Sequence, residues 1–551
     1  MANGSGVSNL AFGVGLATCL TAAGCGAAGG PDGEVGGEVA DTVPLYANLG
    51  DHALDISTDQ REAQAYFNQG LRLQYAFNHA EAVRSYEAAL AADPTCAMCW
   101  WGIALALGPN VNAAMEVEPG ARAFAAAGRA RERLEGTTPL ERGLIEALSQ
   151  RYGRDPESDR TALDSAYARA MMDLVTRFPD HPDVLTLYAA SMMNLRPWDY
   201  WSGTYGDRRP NPGTEDLLGA LERALTLDPN NPGACHYYIH AVEAAFPKRA
   251  EACAERLATL MPGAGHIVHM PGHIYIRIGR YADAVRANEH AVHSDETYIS
   301  DQNPMGVYPA AYYPHNYHFM AFAATMAGMS RQAIQASETV APKVPKSVAL
   351  DVYWIQNAVV LPQLTAASFG RWDDVLAFPM PDPDLDQATV MALYARGVAF
   401  AALGRLDEAG DAASVLRDRV AAADPEGSNP VLTIAGHTLA AEMALRSGRP
   451  RDAVSHFEQA VDVEDDMLYE EPPLWYYPVR QSLGHALLKA DRPSEAEEVY
   501  RQDLLRFPEN GWSLFGLATA LEAQGKDARD EWARFEAAWG EADVELTGSR
   551  F

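Results

Sequence analysis

One phrase recurs along this chain, and it limits the fold more than any other feature. A glycine closes an apolar-periodic stretch, a polar turn follows, and an alanine stands five residues on. It reads Gly279-Arg280-Tyr281-Ala282-Asp283-Ala284 with Ala291 twelve residues after the glycine, and Gly448-Arg449-Pro450-Arg451-Asp452-Ala453 with Ala460 at the same distance. Gly404 with Ala409, Gly328 with Ala333 and Gly525 with Ala537 repeat parts of it. Asp-Pro or Phe-Pro closes many of the units, as at Asp93-Pro94, Phe178-Pro179, Asp228-Pro229 and Phe507-Pro508. The period is about 34 residues, the length of one supersecondary unit that buries its apolar face only by stacking on its neighbours. Alanine-rich helical text dominates and strict alternation is nearly absent, so the class is all-α.

These units resemble the tetratricopeptide repeat (TPR), two antiparallel helices with small residues at their close contacts and a proline after the second. The resemblance covers most of residues 60–540 and is looser at 109–160, 196–220, 294–314 and 372–390. It implies a superhelical solenoid of roughly nine or ten hairpins over residues 44–551. Tyr75-Ala76-Phe77-Asn78-His79, Gly108-Pro109-Asn110-Val111-Asn112, Arg196-Pro197-Trp198-Asp199-Tyr200-Trp201, His269-Met270-Pro271 and Pro473-Leu474-Trp475-Tyr476-Tyr477-Pro478-Val479-Arg480 are similar to signatures of a large group of bacterial TPR proteins. That resemblance carries a fold and little chemistry, so function has to come from the site.

The chemistry lies in the hairpins between residues 229 and 335. Seven of the 15 histidines fall in three short runs there: His236 and His240; His266, His269 and His273; His315 and His318. His236 and His240 lie seven and eleven residues after Pro229, and His269 and His273 lie at the same distances after Pro262. His266 and His269 stand thirteen and ten residues before Gly279, as His315 and His318 do before Gly328. Spacings of three and four put each run on one helix face. In tetratricopeptide arrays the first helix of each hairpin lines the concave groove, which implies that these histidines, with Glu243 and Arg277, face it. His290 and His293 fall on a second helix, and they, with His79, His437, His456 and His485, read as structural.

Imidazoles four apart on a helix can reach one ion together, and a nitrogen-dominated shell selects Cu, Zn or Fe over Ca or Mg. His236, His240, His266, His269, His273, His315 and His318 are therefore the candidate ligands of a transition-metal ion. Glu243 is the candidate general base and Arg277 the anchor for an anion. Trp198, Trp201, Tyr237 and Tyr275 are the aromatics expected at the groove, with the loops Arg196–Asp216 and Ser294–Pro314 either closing over it as a lid or plugging a seam between hairpins. No His-Glu-x-x-His, nucleophile elbow, Walker loop or dinucleotide fingerprint is present. Two functions stand: a metalloprotein, with turnover as a hydrolase or oxidase undecided, or a metal-free scaffold that clasps a protein or peptide partner in the groove.

Residues 1–25 read as a lipoprotein-like signal in which Cys25 takes the lipid, and residues 26–43 as an acidic Gly-rich linker. That predicts a lipid-anchored, extracytoplasmic protein of the periplasm or outer membrane, touching membrane through the lipid alone; the alternative is a cytoplasmic chain with a disordered tail. Cys235 and Cys253 are equally far from one hairpin turn, so export would let them pair. Cys96-x-x-Cys99 lacks a βαβ setting and reads as two small packed residues. A formal net charge of −31 with no basic stripe argues against nucleic acid as a partner.

Overall fold

The computed structural model describes residues 43–155, 158–304 and 307–551. The expected signal with Cys25, and the linker apart from Val43, lie outside the described residues. The class is all-α as expected: the described residues form 25 α-helices, against one two-stranded ribbon, Trp201–Ser202 with Arg209–Pro210. Among the described residues no helix is long and apolar enough to cross a membrane.

The helices form two compact units. The first holds the described residues up to Ser202 with Arg208–Met270 and Ser294–Pro309, and the second holds Gly203–Asp207, Pro271–His293 and Ala310–Phe551. In the first, hairpins follow one another from Arg61–Tyr75 with His79–Ala92 to Pro232–Val242 with Glu251–Leu260. In the second they run from Tyr313–Met326 with Ser330–Val340 to Gly511–Ala523 with Arg529–Ala538. Both are TPR-like. Two of the stretches where the repeat resemblance is looser also hold helices: Val117–Arg131 and Pro139–Ser149 lie in 109–160, and Trp372–Ala377 opens 372–390.

Two local rules build the hairpins. The phrase glycines Gly279, Gly328, Gly404, Gly448 and Gly525 all have positive φ, between 69° and 88°, which ends the first helix in a left-handed turn open to glycine at no steric cost. A tyrosine of the second helix then fills a seat between glycines on two successive first helices. Tyr86 lies between Gly70 and Gly102, and Tyr500 between Gly484 and Gly516; a Cβ on any of the four would overlap the ring. Each seat lets helix backbones approach to the thickness of one aromatic ring.

Several expectations change. Ser294–Pro314 is not a loop, since the helix Tyr281–Gln302 runs through its first half and a π-helical turn spans Tyr308–Tyr312. No Gly or Pro interrupts residues 281–303, so nothing stops that helix. Arg196–Asp216 carries the ribbon, and its Tyr200 and Trp201 are buried, with Trp201 Nε1 donating to the Ala241 carbonyl at 2.7 Å; these two plug a seam. Cys96 and Cys99 are not merely packed but joined by a disulfide at the start of the Ala97–Ala106 helix, and Cys235 is joined to Cys253.

Overpacking a ring seat costs about 1–3 kcal/mol. Gly484→Ala or Gly516→Ala is therefore expected to lower Tm by several degrees, whereas Gly436→Ala, in a helix and with nothing within 4 Å of its Cβ position, raises it slightly. Differential scanning calorimetry of the three variants checks this. A second expectation concerns pH. Burial pushes the Glu464 carboxyl up to about 7, and its oxygens accept from Val479 N at 3.2 and 3.4 Å. The folded state thus holds a proton that the unfolded chain loses near the ordinary value of 4.5. The stabilisation is complete below that value and is lost as pH rises through about 7, amounting to roughly 3 kcal/mol at most. Between pH 5 and 8 the Tm of Glu464→Gln should fall less than that of the unaltered chain.

Candidate metal centre

The first unit brings three histidines to one point. Helix Pro232–Val242 starts with proline at its first turn and with Asn231 as cap, the side chain accepting from Ala234 N at 2.8 Å. Asn231 is itself held by Asp183, whose Oδ1 also takes Tyr75 Oη at 2.8 Å and His52 Nε2 at 3.0 Å. Every residue of this helix is buried, so its two imidazoles project into the interior. His266 enters on the first turn of the next helix, Gly265–Ile278, whose His266 N–H donates to Tyr308 Oη at 3.2 Å.

The ring nitrogens define the geometry. His236 Nδ1 stands 2.6 Å from the Tyr75 carbonyl and His240 Nδ1 stands 3.0 Å from Glu243 Oε1. A carbonyl and a carboxylate only accept, so both Nδ1 atoms carry the proton and both Nε2 atoms present lone pairs. Those lone pairs converge: Nε2 of His236 is 3.1 Å from Nε2 of His240 and 3.2 Å from Nε2 of His266. A tetrahedral ion with Zn–N bonds of about 2.05 Å separates its nitrogens by about 3.3 Å.

Burial, then the neighbouring His240, drives His236 well below the usual imidazole range, and burial drives His240 down to about 3. At neutral pH the pair is uncharged, so both Nε2 atoms are in the deprotonated form that can act as a ligand. The outer partners match the way metal-bound histidines are held, with the far nitrogen bonded to a carbonyl or carboxylate that fixes tautomer and ring direction.

Aromatic rings close the site. Phe77 lies 4.4 Å from the His236 ring, 5.4 Å from His266 and 6.1 Å from His240, and Trp198 meets His240 edge-on at 5.0 Å. Phe77 and Trp198 both adopt positive φ, 55° and 62°, where a bulky residue is strained. Such strain concentrates at functional sites, and here it directs Phe77 onto all three imidazoles and Trp198 onto His240. Trp198 Nε1 donates to Asn112 Oδ1 at 3.2 Å, which ties the Gly108–Asn112 signature to the site.

The other expected residues are placed as follows. His236, His240 and His266 are 0–3 % exposed, so they form an interior centre and not the wall of an open groove; Phe77, Trp198 and Tyr237 fill the space before them. Glu243 sits behind His240 as the partner of Nδ1, because a spacing of three returns it to the same face one turn on. His269 is buried with its ring 5.8 Å from that of His266. In the second unit His273 and His315 have ring centroids 6.0 Å apart, and burial lowers His318 to about 4. Arg277 donates to the Arg506 carbonyl at 3.1 Å and lies over the Tyr205 and Tyr469 rings, and Tyr275 carries the Arg280 guanidinium at 4.3 Å. Trp201 is structural. His290 and His293 are exposed, as expected of a second helix.

Residues 482–543 match the tetratricopeptide repeat family model. No curated protein matches the chain. Among solved structures, the Cut9–Hcn1 hetero-tetramer of the APC/C is 14% identical over 91% of this chain and 76% of its own, with a TM-score of 0.29. The human IFIT1 dimer with m7Gppp-AAAA is 13% identical over 88% and 91%, with a TM-score of 0.31; the RNA is that protein's ligand, and a likeness this low carries no argument about partners. Residues 482–543 thus carry a tetratricopeptide repeat, and the hairpins of both units share its all-α, TPR-like fold.

Proposed function

We propose that this scaffold is a metalloprotein holding one transition-metal ion, Cu, Zn or Fe, on Nε2 of His236, His240 and His266. The observation that carries the reading is the convergence of three Nε2 atoms, two of them with Nδ1 committed to outer partners. Borderline nitrogen ligands favour these ions over Ca or Mg. A shell of three nitrogens leaves a position for water, the arrangement that catalytic ions need, so a hydrolase or oxidase is the enzyme class to test first. Glu243 then acts as the positioning residue of His240.

Elemental analysis of the untagged chain should find close to one equivalent of metal, and His240→Ala and His266→Ala should each abolish it. A Glu243→Gln chain keeps the hydrogen-bond geometry but weakens retention of the metal against a chelator by about 10–100-fold. An unaltered chain that stays metal-free after reconstitution with Cu, Zn and Fe would sink the reading.

We also propose that the protein is extracytoplasmic and lipid-anchored through Cys25. Two disulfides, Cys96–Cys99 and Cys235–Cys253, support export, since such bonds persist in oxidising compartments. Radiolabelled palmitate should be incorporated into the full chain in a bacterial host and not into Cys25→Ser; equal labelling of both would remove the anchor.

A further inference from the structure

The second unit already holds a peptide in its array, and that peptide is its own chain. After the last helix, Arg529–Ala538, the backbone is irregular from Asp543 to Phe551 and runs across helices far apart in sequence. It starts at Asp543, which accepts from Ser330 N at 2.7 Å and from Arg331 Nε at 2.9 Å, and donates its own N–H to the Gly328 carbonyl at 3.0 Å. It then settles on residues from the hairpins of Pro430–Arg446, Val479–Lys489 and Gly511–Ala523.

Each of its last four residues has a dedicated seat. Gly548 lies against His485, with no room for a Cβ. Ser549 is buried, donating from Oγ to the Gln481 carbonyl at 3.0 Å and accepting from Tyr500 Oη at 2.6 Å. Tyr500 is the same ring that fills the seat between Gly484 and Gly516, so the segment is bonded to the repeat's own packing element. The Arg550 guanidinium lies 3.8 Å over the Tyr477 ring and 5.8 Å from that of Trp512. Burial raises the nearby Glu442 carboxyl, which the Arg446 and Arg550 charges only partly oppose, and Arg550 Nη1 is buried without a hydrogen-bond partner. Phe551 packs edge-on against Trp512 at 5.7 Å, and its carbonyl accepts from Arg446 Nη2 at 2.8 Å.

This pattern is that of a recognition groove. A glycine slot, a serine bonded on both sides, an arginine between aromatic faces with a carboxylate nearby, and a phenylalanine shelf read successive side chains. We infer that the groove over Tyr477, Gln481, His485 and Trp512 binds an extended segment of a partner protein bearing small-Ser-Arg-aromatic, and that Val544–Phe551 is the resident occupant a partner must displace. The Tyr477 face under the guanidinium sets the charge of that partner: cationic at this position. The site is independent of the histidine centre.

The test uses a fluorescein-labelled peptide of Glu545–Phe551, amidated at its last residue, and two full-length chains: the unaltered one and one carrying Arg550→Glu with Phe551→Ser. By fluorescence anisotropy the peptide should bind the doubly substituted chain at least ten-fold tighter than the unaltered chain. Replacing the peptide's arginine by glutamate should cost at least ten-fold. No binding to a substituted chain that keeps its helical circular dichroism, equal binding to both chains, or equal binding of a scrambled peptide overturns the inference. Should the substitutions unfold the chain, hydrogen exchange on the unaltered protein decides: excess unlabelled peptide should raise exchange in residues 544–551, and unchanged exchange overturns it. A dimer of the unaltered chain on size-exclusion, in which copies trade this segment, would replace the partner reading and overturn it as well.

Discussion

A ring pressed against a residue without a side chain is the contact on which the structure rests. Gly70, Gly102, Gly484 and Gly516 receive tyrosines from second helices, and Gly233 receives the ring of Tyr75. The last case matters most. Tyr75 packs on Gly233 with its ring, gives its hydroxyl to Asp183 and offers its carbonyl to His236 Nδ1. The contact that docks the first hairpin onto the helix Pro232–Val242 also supplies the outer partner of a candidate ligand. Packing and site chemistry meet in one residue, so a change to the packing moves the histidine.

The electrostatic consequence is specific. Burial alone makes imidazole hard to protonate, and buried neutral rings normally find partners for both nitrogens. Here Nδ1 of His236 and of His240 each meets an oxygen, which leaves Nε2 of both rings turned toward the neighbouring imidazoles. A fully apolar replacement would pack as well with less cost. Three imidazoles brought together beside two aromatic residues at strained φ are a local departure from the rules that build the rest of the chain, and such departures mark sites with a task.

Much of this was legible from residue order. The glycine phrase gave the hairpins, because a left-handed residue at the end of a helix is a local requirement that leaves a local mark. The register of His236, His240 and His266 against the prolines and glycines of their hairpins placed them on first helices. What could not be read was long-range. Tyr75 lies 161 residues from His236, and Phe77 carries no glycine to announce its positive φ. The groove expected from the repeat resemblance became an interior centre because Phe77 and Trp198, from distant turns, fill it. The helix through Ser294–Gln302 was hidden by its polar text, and the Cys96–Cys99 bond by the absence of any pattern around it. Both were misread from composition where backbone continuity and proximity decide.

The disulfide between Cys235 and Cys253 encloses His236, His240 and Glu243 in one covalent ring. Two bases and the carboxylate that aims one of them therefore stay within a short tether of each other even when the surrounding helices come apart. A chain that unfolds with this bond intact would keep the loop closed, so the segment has fewer conformations to lose when its hairpin forms again.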